Sequence, residues 1–186
     1  PTLEIGDFIL PLDKILQSED ICKIAVESNH LMLEYVPEKL ITPDLCKVSV
    51  VADGLSFKFV PEKFRTREFC EFAFDRNQWN LEEIPDEYKT VEMCLRAVKE
   101  SGYLLERIPD SLKTKEMCRI AVNDVAEEIE NVPVELMDKD MCLSAVKKSR
   151  YGVLRNIPEE FRDYEVCLVA VKKHGGDIND VPESLR

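Results

Sequence analysis

Seven cysteines are the residues of this chain that could do chemistry, either as metal ligands or as redox-active thiols. They are Cys22, Cys46, Cys70, Cys94, Cys118, Cys142 and Cys167. A zinc site needs clustered ligands, such as a C-x-x-C pair with a second pair nearby, whereas successive cysteines here are 24 or 25 residues apart. The spacing therefore predicts no metal site and no cofactor, and it favours cysteine as a small buried apolar residue at a tight helix contact.

Disulfide chemistry is also disfavoured by this spacing. If the cysteines occupy the same position on stacked helices, their backbones lie about 8–10 Å apart, and a disulfide needs Cα atoms within about 7 Å. The odd number of cysteines also argues against a closed disulfide framework. We therefore expect buried, reduced thiols and a reducing compartment, either the cytoplasm or a host cytosol if the protein is translocated.

No other set of residues has the spacing of a catalytic site. The two histidines, His30 and His174, lie at opposite ends of the chain, and no glycine-rich phosphate loop is present. Carboxylate pairs such as Glu82-Glu83 are common on solvated helices. The sequence predicts no catalytic residues and a protein that is not an enzyme. It also contains no stretch of about 18 apolar residues, so we expect no membrane partner.

A repeat explains the spacing of the cysteines. A proline follows each cysteine by 15 residues, or by 16 after Cys142, where one residue is inserted around Gly152-Val153. Apolar residues stand at −1, 0, +3 and +4 relative to each cysteine, which is one stripe of an α-helix rather than the alternation of a strand. Each cysteine therefore marks one helical unit, and we number these units as repeats 1 to 7.

The sequence of each repeat also predicts where its helices begin and end. Four residues before each cysteine stands a Ser, Thr or Asp suited to an N-cap, and an acid follows two residues later in the first turn. The helix of about 11 residues ends near Gly54, Gly102 or Gly175, which suit a C-terminal turn. The proline then suits the start of a second, shorter helix.

These features predict an all-α fold, an α-solenoid of about seven stacked 24-residue helical repeats. Residues 18–186 form a single repeat array, because isolated units of this kind cannot bury their apolar face and must stack. Residues 1–20 form a degenerate N-terminal half repeat, in which Leu16 matches Leu40 and Asp13 stands where the proline should be.

From about Ser18 onward, the pattern T-x-E-[apolar]-C-x-x-A-V…L-x-x-[IV]-P-E-x-L resembles the helical repeats known as domain of unknown function 4116. The resemblance depends on the acid at the helix start, the Ala-Val pair and the returning leucine. This chain departs from those repeats in its constant cysteine and its nearly invariant proline. The resemblance implies helical repeats and no catalytic residues.

The net charge of −12 raises the alternative of an acidic nucleic-acid mimic that blocks a nucleic-acid-binding protein. Of the 37 acids, 13 occupy two repeat positions, seven in the first turn of the longer helix and six after the prolines. The other 24 acids nearly balance the 25 Lys and Arg residues, so the excess lies where helix dipoles favour negative charge. Direct binding to nucleic acid is disfavoured because phosphates would be repelled.

Residues that break the repeat pattern are the candidates for binding another protein. Tyr35 and Phe59 stand where later repeats carry polar residues, Val51 replaces a polar residue, and Trp79 follows them in repeat 3. We expect these four as apolar anchors, with a polar rim of Glu82, Glu83, Glu106 and Arg107. Alternatively, Tyr35 and Phe59 cover the end of the array or pack against a preceding domain.

The sequence thus predicts a non-catalytic protein–protein interaction scaffold that presents a curved helical-repeat surface to a partner of unknown identity. Two alternatives stay open. One is the acidic inhibitor that mimics nucleic acid, and the other is a structural spacer within a larger protein.

Overall fold

The computed structural model describes residues 2–5, 8–11 and 18–186. The chain divides into two compact units. The first unit, Pro1–Tyr88, contains repeats 1 to 3, and the second unit, Lys89–Arg186, contains repeats 4 to 7.

Each repeat begins with an α-helix of 10 residues. The helices are α1 (Glu19–Ser28), α2 (Pro43–Ala52), α3 (Arg67–Arg76), α4 (Val91–Glu100), α5 (Lys115–Asp124), α6 (Lys139–Lys148) and α7 (Tyr164–Lys173). At every N-cap, the predicted side-chain oxygen accepts a hydrogen bond from the backbone amide three residues later, as Thr42 does from Leu45 at 3.2 Å. The predicted helix starts are therefore confirmed in all seven repeats.

Two 3-10 helices follow each α-helix, one before and one after the proline. The helices before the proline are His30–Tyr35, Gly54–Phe59, Gln78–Glu83, Gly102–Arg107, Ala126–Asn131, Leu154–Asn156 and Gly175–Asp180. The helices after it are Glu38–Leu40, Glu62–Phe64, Asp86–Tyr88, Asp110–Leu112, Val134–Leu136, Glu159–Phe161 and Glu183–Leu185. The break at proline is as predicted, and the shortened helix of repeat 6 lies beside the inserted residue.

The glycines do not form the C-terminal turns that their positions predict. Six of the seven α-helices have an extended residue at the C-cap, such as Asp53 or Ser101, and Gly54, Gly102 and Gly175 open the next 3-10 helix. At Gly54 and Gly102 the neighbouring repeat approaches closely, and a Cβ on Gly54 would lie 2.7 Å from the Cβ of Asn77. A Cβ on Gly102 would lie 2.9 Å from the carbonyl oxygen of Ala121.

Within each unit, α-helices pack against the α-helices of neighbouring repeats, and 3-10 helices pack against 3-10 helices. The repeats of each unit form an all-α solenoid, which confirms the predicted fold. The seven cysteines lie at the centre of this packing as buried free thiols, with Cys167 the most accessible at 4%. Their predicted burial is therefore confirmed.

A short antiparallel hairpin precedes the repeats. It pairs β1 (Thr2–Ile5) with β2 (Phe8–Pro11), and Ile5 lies opposite Phe8. The repeat pattern does not predict these strands. Asp13 and Leu16, on which the prediction of a half repeat over residues 1–20 depends, lie outside the described residues.

Candidate protein-binding groove

An open groove of about 760 Å³ lies between α1 and α2 in the first unit. Its apolar lining comes from Leu40 in the short 3-10 helix of repeat 1 and from Leu45, Val48 and Val51 on α2. The other lining residues are Glu19, Asp20, Lys23, Glu27, Thr42, Asp44, Lys47 and Ala52. We call this surface the α1–α2 groove.

The helical period of α2 places Val48 and Val51 at this surface. Cys46, Ser49 and Val50 face the interior and are fully buried. Val48 and Val51, three residues apart, lie on one stripe of the opposite side, and Val51 is 47% exposed. Helix α2 is therefore apolar both toward the core and toward the groove, where the repeat pattern leads one to expect a solvated face.

A second groove, of about 370 Å³, lies between α2 and α3. Three phenylalanines line it, Phe64, Phe69 and Phe72, and the ring centroids of Phe69 and Phe72 stack 5.9 Å apart. The ammonium group of Lys47 lies 5.7 Å from the centroid of Phe72. The first unit thus presents apolar surface on both sides of α2.

In the second unit, the corresponding space between α5 and α6 holds a pocket of only about 110 Å³. Polar side chains join the two helices there. Arg119 Nη2 lies 2.7 Å from Asp138 Oδ2, and the hydroxyl of Ser144 donates to Asn123 Oδ1 at 2.8 Å. Lys148 Nζ donates to the backbone carbonyl of Asn123 at 3.0 Å. These contacts draw the two helices together.

The electrostatics of this closed gap centre on Asp138. Burial opposes ionisation of its carboxyl group, but hydrogen bonds from Lys115, the Met141 amide and Arg119 outweigh burial and lower the pKa to about 2. The carboxylate therefore stays charged and serves as both the N-cap of α6 and an ion-pair partner of α5.

The α1–α2 groove is open because the equivalent residues of repeats 1 and 2 cannot make these contacts. By repeat position, Thr42 replaces Asp138, Val48 replaces Ser144 and Ala52 replaces Lys148. Three residues that bridge α5 and α6 are thus replaced by uncharged or apolar ones. The result is a gap several times larger, lined by apolar side chains.

The structure separates the four predicted apolar anchors. Val51 lines the α1–α2 groove. Tyr35, Phe59 and Trp79 lie on the 3-10 helices of repeats 1 to 3 and line neither groove. Tyr35 is 36% exposed and Trp79 is 46% exposed, whereas Phe59 is half-buried with Lys58 Nζ 4.8 Å from its ring centroid.

The predicted polar rim is divided between the two units. Glu82 is exposed, and Glu83 is half-buried with its carboxylate 3.3 Å from Arg65 Nη1. Glu106 and Arg107 are exposed residues of the second unit. Glu83 thus has a structural role in joining repeats 2 and 3.

Sequence reasoning missed the residues at +2 from the cysteine, Val48 above all. This position is apolar throughout the first unit, with Ile24, Val48 and Phe72, whereas in the second unit it alternates between polar and apolar, with Arg96, Ile120, Ser144 and Val169. The difference in composition could have been read directly from the sequence. Its consequence, an open groove, could not, because it also depends on the residues across the gap.

The cysteines lack the properties of reactive thiols. Burial raises the pKa of Cys46, Cys70 and Cys118 to about 11, and that of Cys142 to about 12. Among the described residues, no group of three or more His, Cys, Asp or Glu side chains is placed to hold a metal ion. No described helix combines the length and the apolar composition needed to cross a bilayer.

The acids of the repeat pattern are all exposed. In the first turns of the α-helices they are Asp20, Asp44, Glu68, Glu92, Glu116, Asp140 and Glu165. After the prolines they are Glu38, Glu62, Asp86, Asp110, Glu159 and Glu183. Their charges are therefore available to a partner as well as to the helix dipoles.

Comparison with known proteins finds a similarity over part of the chain. No curated protein and no solved structure matches it. Residues 138–186, which are repeats 6 and 7, match the family model described as Domain of unknown function (DUF4116). The resemblance indicated by the repeat pattern is thereby confirmed for repeats 6 and 7, which are similar to that family.

Proposed function

We propose that this protein is a non-catalytic binding module that holds another protein on the α-helical side of its first unit. The observation that carries the proposal is the α1–α2 groove, with the exposed Val51 on its wall. An exposed apolar surface of this kind marks interaction sites in folded proteins. The closed α5–α6 gap supports the proposal, because it demonstrates that the same repeat can seal this space with polar residues.

A second candidate function is supported by the exposed acids of the repeat pattern. In that case the protein occupies the basic surface of a nucleic-acid-binding protein, and charge rather than apolar contact provides the affinity. Such a complex weakens steeply as salt rises, whereas an apolar interface persists. A structural spacer, the third candidate, would bind no partner at the α1–α2 groove or at the exposed acids.

The test is capture of partners from a lysate of the source organism or its host, at low and high salt, with three variants. Val51→Asp places a charge in the groove. Val134→Asp is the matched control, because Val134 is 49% exposed and other repeats carry an acid at its position. Tyr35→Ala/Phe59→Ala tests the 3-10 helices. We expect a salt-resistant partner that is lost only with Val51→Asp.

Other outcomes contradict this proposal in distinct ways. A partner that survives Val51→Asp but disappears at high salt supports the acidic mimic. If the partner is lost only with Tyr35→Ala/Phe59→Ala, binding is assigned to the 3-10 helices. If no partner is captured, the result supports the structural spacer.

A further inference from the structure

We infer that the α1–α2 groove binds an amphipathic helix of a partner protein, which lies antiparallel to α2 and carries Lys or Arg in its last turn. This inference rests on the proposed function and adds the kind of segment that is recognised. It is argued from the lining of the groove, the hydrogen bonding of its walls and the placement of its charges.

The first argument concerns shape. The groove is bounded by two helices of 10 residues each, which are about 15 Å long. Its apolar surface follows α2 through Leu45, Val48 and Val51, at the spacing of successive helical turns. A partner helix of about three turns can insert one ridge of side chains into such a gap, as helices do when they pack in pairs.

The second argument concerns the backbone. An extended peptide would gain affinity by adding a strand to an exposed sheet edge. Within α1 and α2 the backbone amides and carbonyls bond one another along the helix, and Ser18 and Thr42 each cap one first-turn amide, that of Ile21 and that of Leu45. These walls thus leave no edge for a strand, and recognition must come from side chains.

The third argument concerns charge. Four acids line the groove, and three of them, Glu19, Asp20 and Asp44, lie in the first turns of α1 and α2. Lys23 and Lys47 lie one turn further along, and the fourth acid, Glu27, lies near the C-terminal end of α1, so the groove has three acids at one end and one at the other. A partner with cations along its whole length would meet these lysines, whereas cations confined to one end would meet the acids alone.

The direction of the partner helix follows from this asymmetry. Lys and Arg are favoured in the last turn of a helix because they complement its own dipole. Placing that turn beside Asp20 and Asp44 makes the partner antiparallel to α1 and α2. The dipoles of the helices then also oppose one another, which is the favourable arrangement for neighbours.

The experiment is selection from a displayed library of helix-constrained peptides of about 14 residues, against the full chain. We expect enriched peptides with apolar residues at i, i+3, i+4 and i+7 and with Lys or Arg in the last turn. Their dissociation constants, measured by fluorescence anisotropy, should rise at least tenfold with Val51→Asp. Val134→Asp should leave them unchanged.

Two further variants separate groove closure from loss of folding. Ala52→Lys places a lysine where α6 has Lys148, which reaches the carbonyl of Asn123, so this variant should close the groove. We expect it to raise the dissociation constants of the peptides tenfold. Its circular dichroism and melting temperature should equal those of the wild type. Asp20→Asn/Asp44→Asn should raise the dissociation constants of peptides with Lys or Arg in the last turn about three- to tenfold. It should have no such effect on peptides whose last turn is neutral.

Several outcomes overturn the inference. The selection could enrich no peptides, or it could enrich proline-rich or acidic peptides. Basic residues could be enriched in the first turn of the peptides. The dissociation constants of the peptides could be unchanged by both Val51→Asp and Ala52→Lys. If lysate capture still depends on Val51 in any of these cases, the groove binds a different kind of segment and the proposed function stands. If capture from the lysate is also independent of Val51, both the inference of a helical partner segment and the proposed function fail.

Discussion

Arg162 joins repeats 6 and 7, because its Nη1 donates to the backbone carbonyl of Asp180 at 2.8 Å. The same guanidinium also donates to two carbonyls of its own repeat, from Nε to Ile157 at 2.6 Å and from Nη2 to Arg155 at 3.1 Å. One side chain thereby satisfies three carbonyl oxygens at the ends of two 3-10 helices.

This arrangement recurs at the same repeat position. In the first unit, Arg65 makes the equivalent contacts with Val60, Lys58 and Glu83. A lysine at this position also makes the inter-repeat contact, as Lys113 does with the Asn131 carbonyl at 2.7 Å, while its contact within its own repeat is with the Asp110 carboxylate at 2.8 Å. These cations therefore hold neighbouring repeats together.

The first prediction follows from this contact. Arg162→Met should lower the free energy of unfolding in urea by about 1–3 kcal/mol, because it leaves three carbonyl groups without a charged donor. Methionine is a fair replacement, since Met137 occupies the same position in repeat 5. Arg150→Met, at an exposed position, is the control and should change the free energy little. Equal stability of the two variants would contradict the role of Arg162.

A second prediction concerns Glu128, which is only 5% exposed and accepts a hydrogen bond from Asn131 Nδ2 at 3.0 Å. Burial is the main cause that raises its pKa to about 6, with nearby Glu106 and Glu130 adding to the effect. The folded state therefore binds a proton more tightly than the unfolded state, and ionisation of Glu128 destabilises the fold as the pH rises from about 4.5 through 6.

Glu128→Gln should consequently raise the free energy of unfolding at pH 7.5 by about 2 kcal/mol, and the gain should vanish below about pH 4.5. Urea titrations at several pH values measure this difference. Glu135→Gln, at an exposed position, serves as the reference. A gain that does not depend on pH would mean that charge burial is not its cause.

The third prediction concerns the thiols. Because all seven cysteines are buried and none is in a disulfide, a thiol-specific reagent at pH 8 should label the folded protein only as fast as the protein opens. In denaturant without reductant, seven thiols should react per chain. Mass spectrometry of the labelled protein counts them. Rapid labelling of any cysteine under native conditions would show that its repeat is not packed as described.

The fourth prediction compares two glycines at the same repeat position. Gly102→Ala should destabilise the protein by about 1–3 kcal/mol, because the new Cβ would lie 2.9 Å from the Ala121 carbonyl oxygen. Gly175→Ala meets no atom within 4 Å, so it should be neutral or stabilise by up to about 1 kcal/mol. Thermal melting of both variants tests the difference. Similar melting temperatures would mean that the repeats can shift to accept the extra carbon.

Much of the fold can be predicted from the sequence because the relevant interactions act within one repeat. An N-cap such as Thr42 bonds an amide three residues away, and the apolar stripe around Cys46 depends only on the helical period. Seven copies repeat the same local pattern, so the α-helices, the break at proline and the burial of the cysteines follow from residues close together in the chain.

The candidate site could be predicted only in part. Val51 was identifiable because it breaks the repeat pattern, but its neighbours in the groove were not. The open α1–α2 groove and the closed α5–α6 gap lie between equivalent helices with the same backbone pattern. They differ in whether residues such as Ala52 and Lys148 can reach the preceding helix, 25 residues away in the chain for the Lys148–Asn123 contact.

The sequence by itself determined the repeat, its helices and its buried cysteines, because helix capping and helical period depend on residues a few positions apart. Only the tertiary structure decided where neighbouring repeats close and where they leave a groove. That outcome depends on the sizes and charges of side chains that meet across two helices, and no local pattern records which of them will touch.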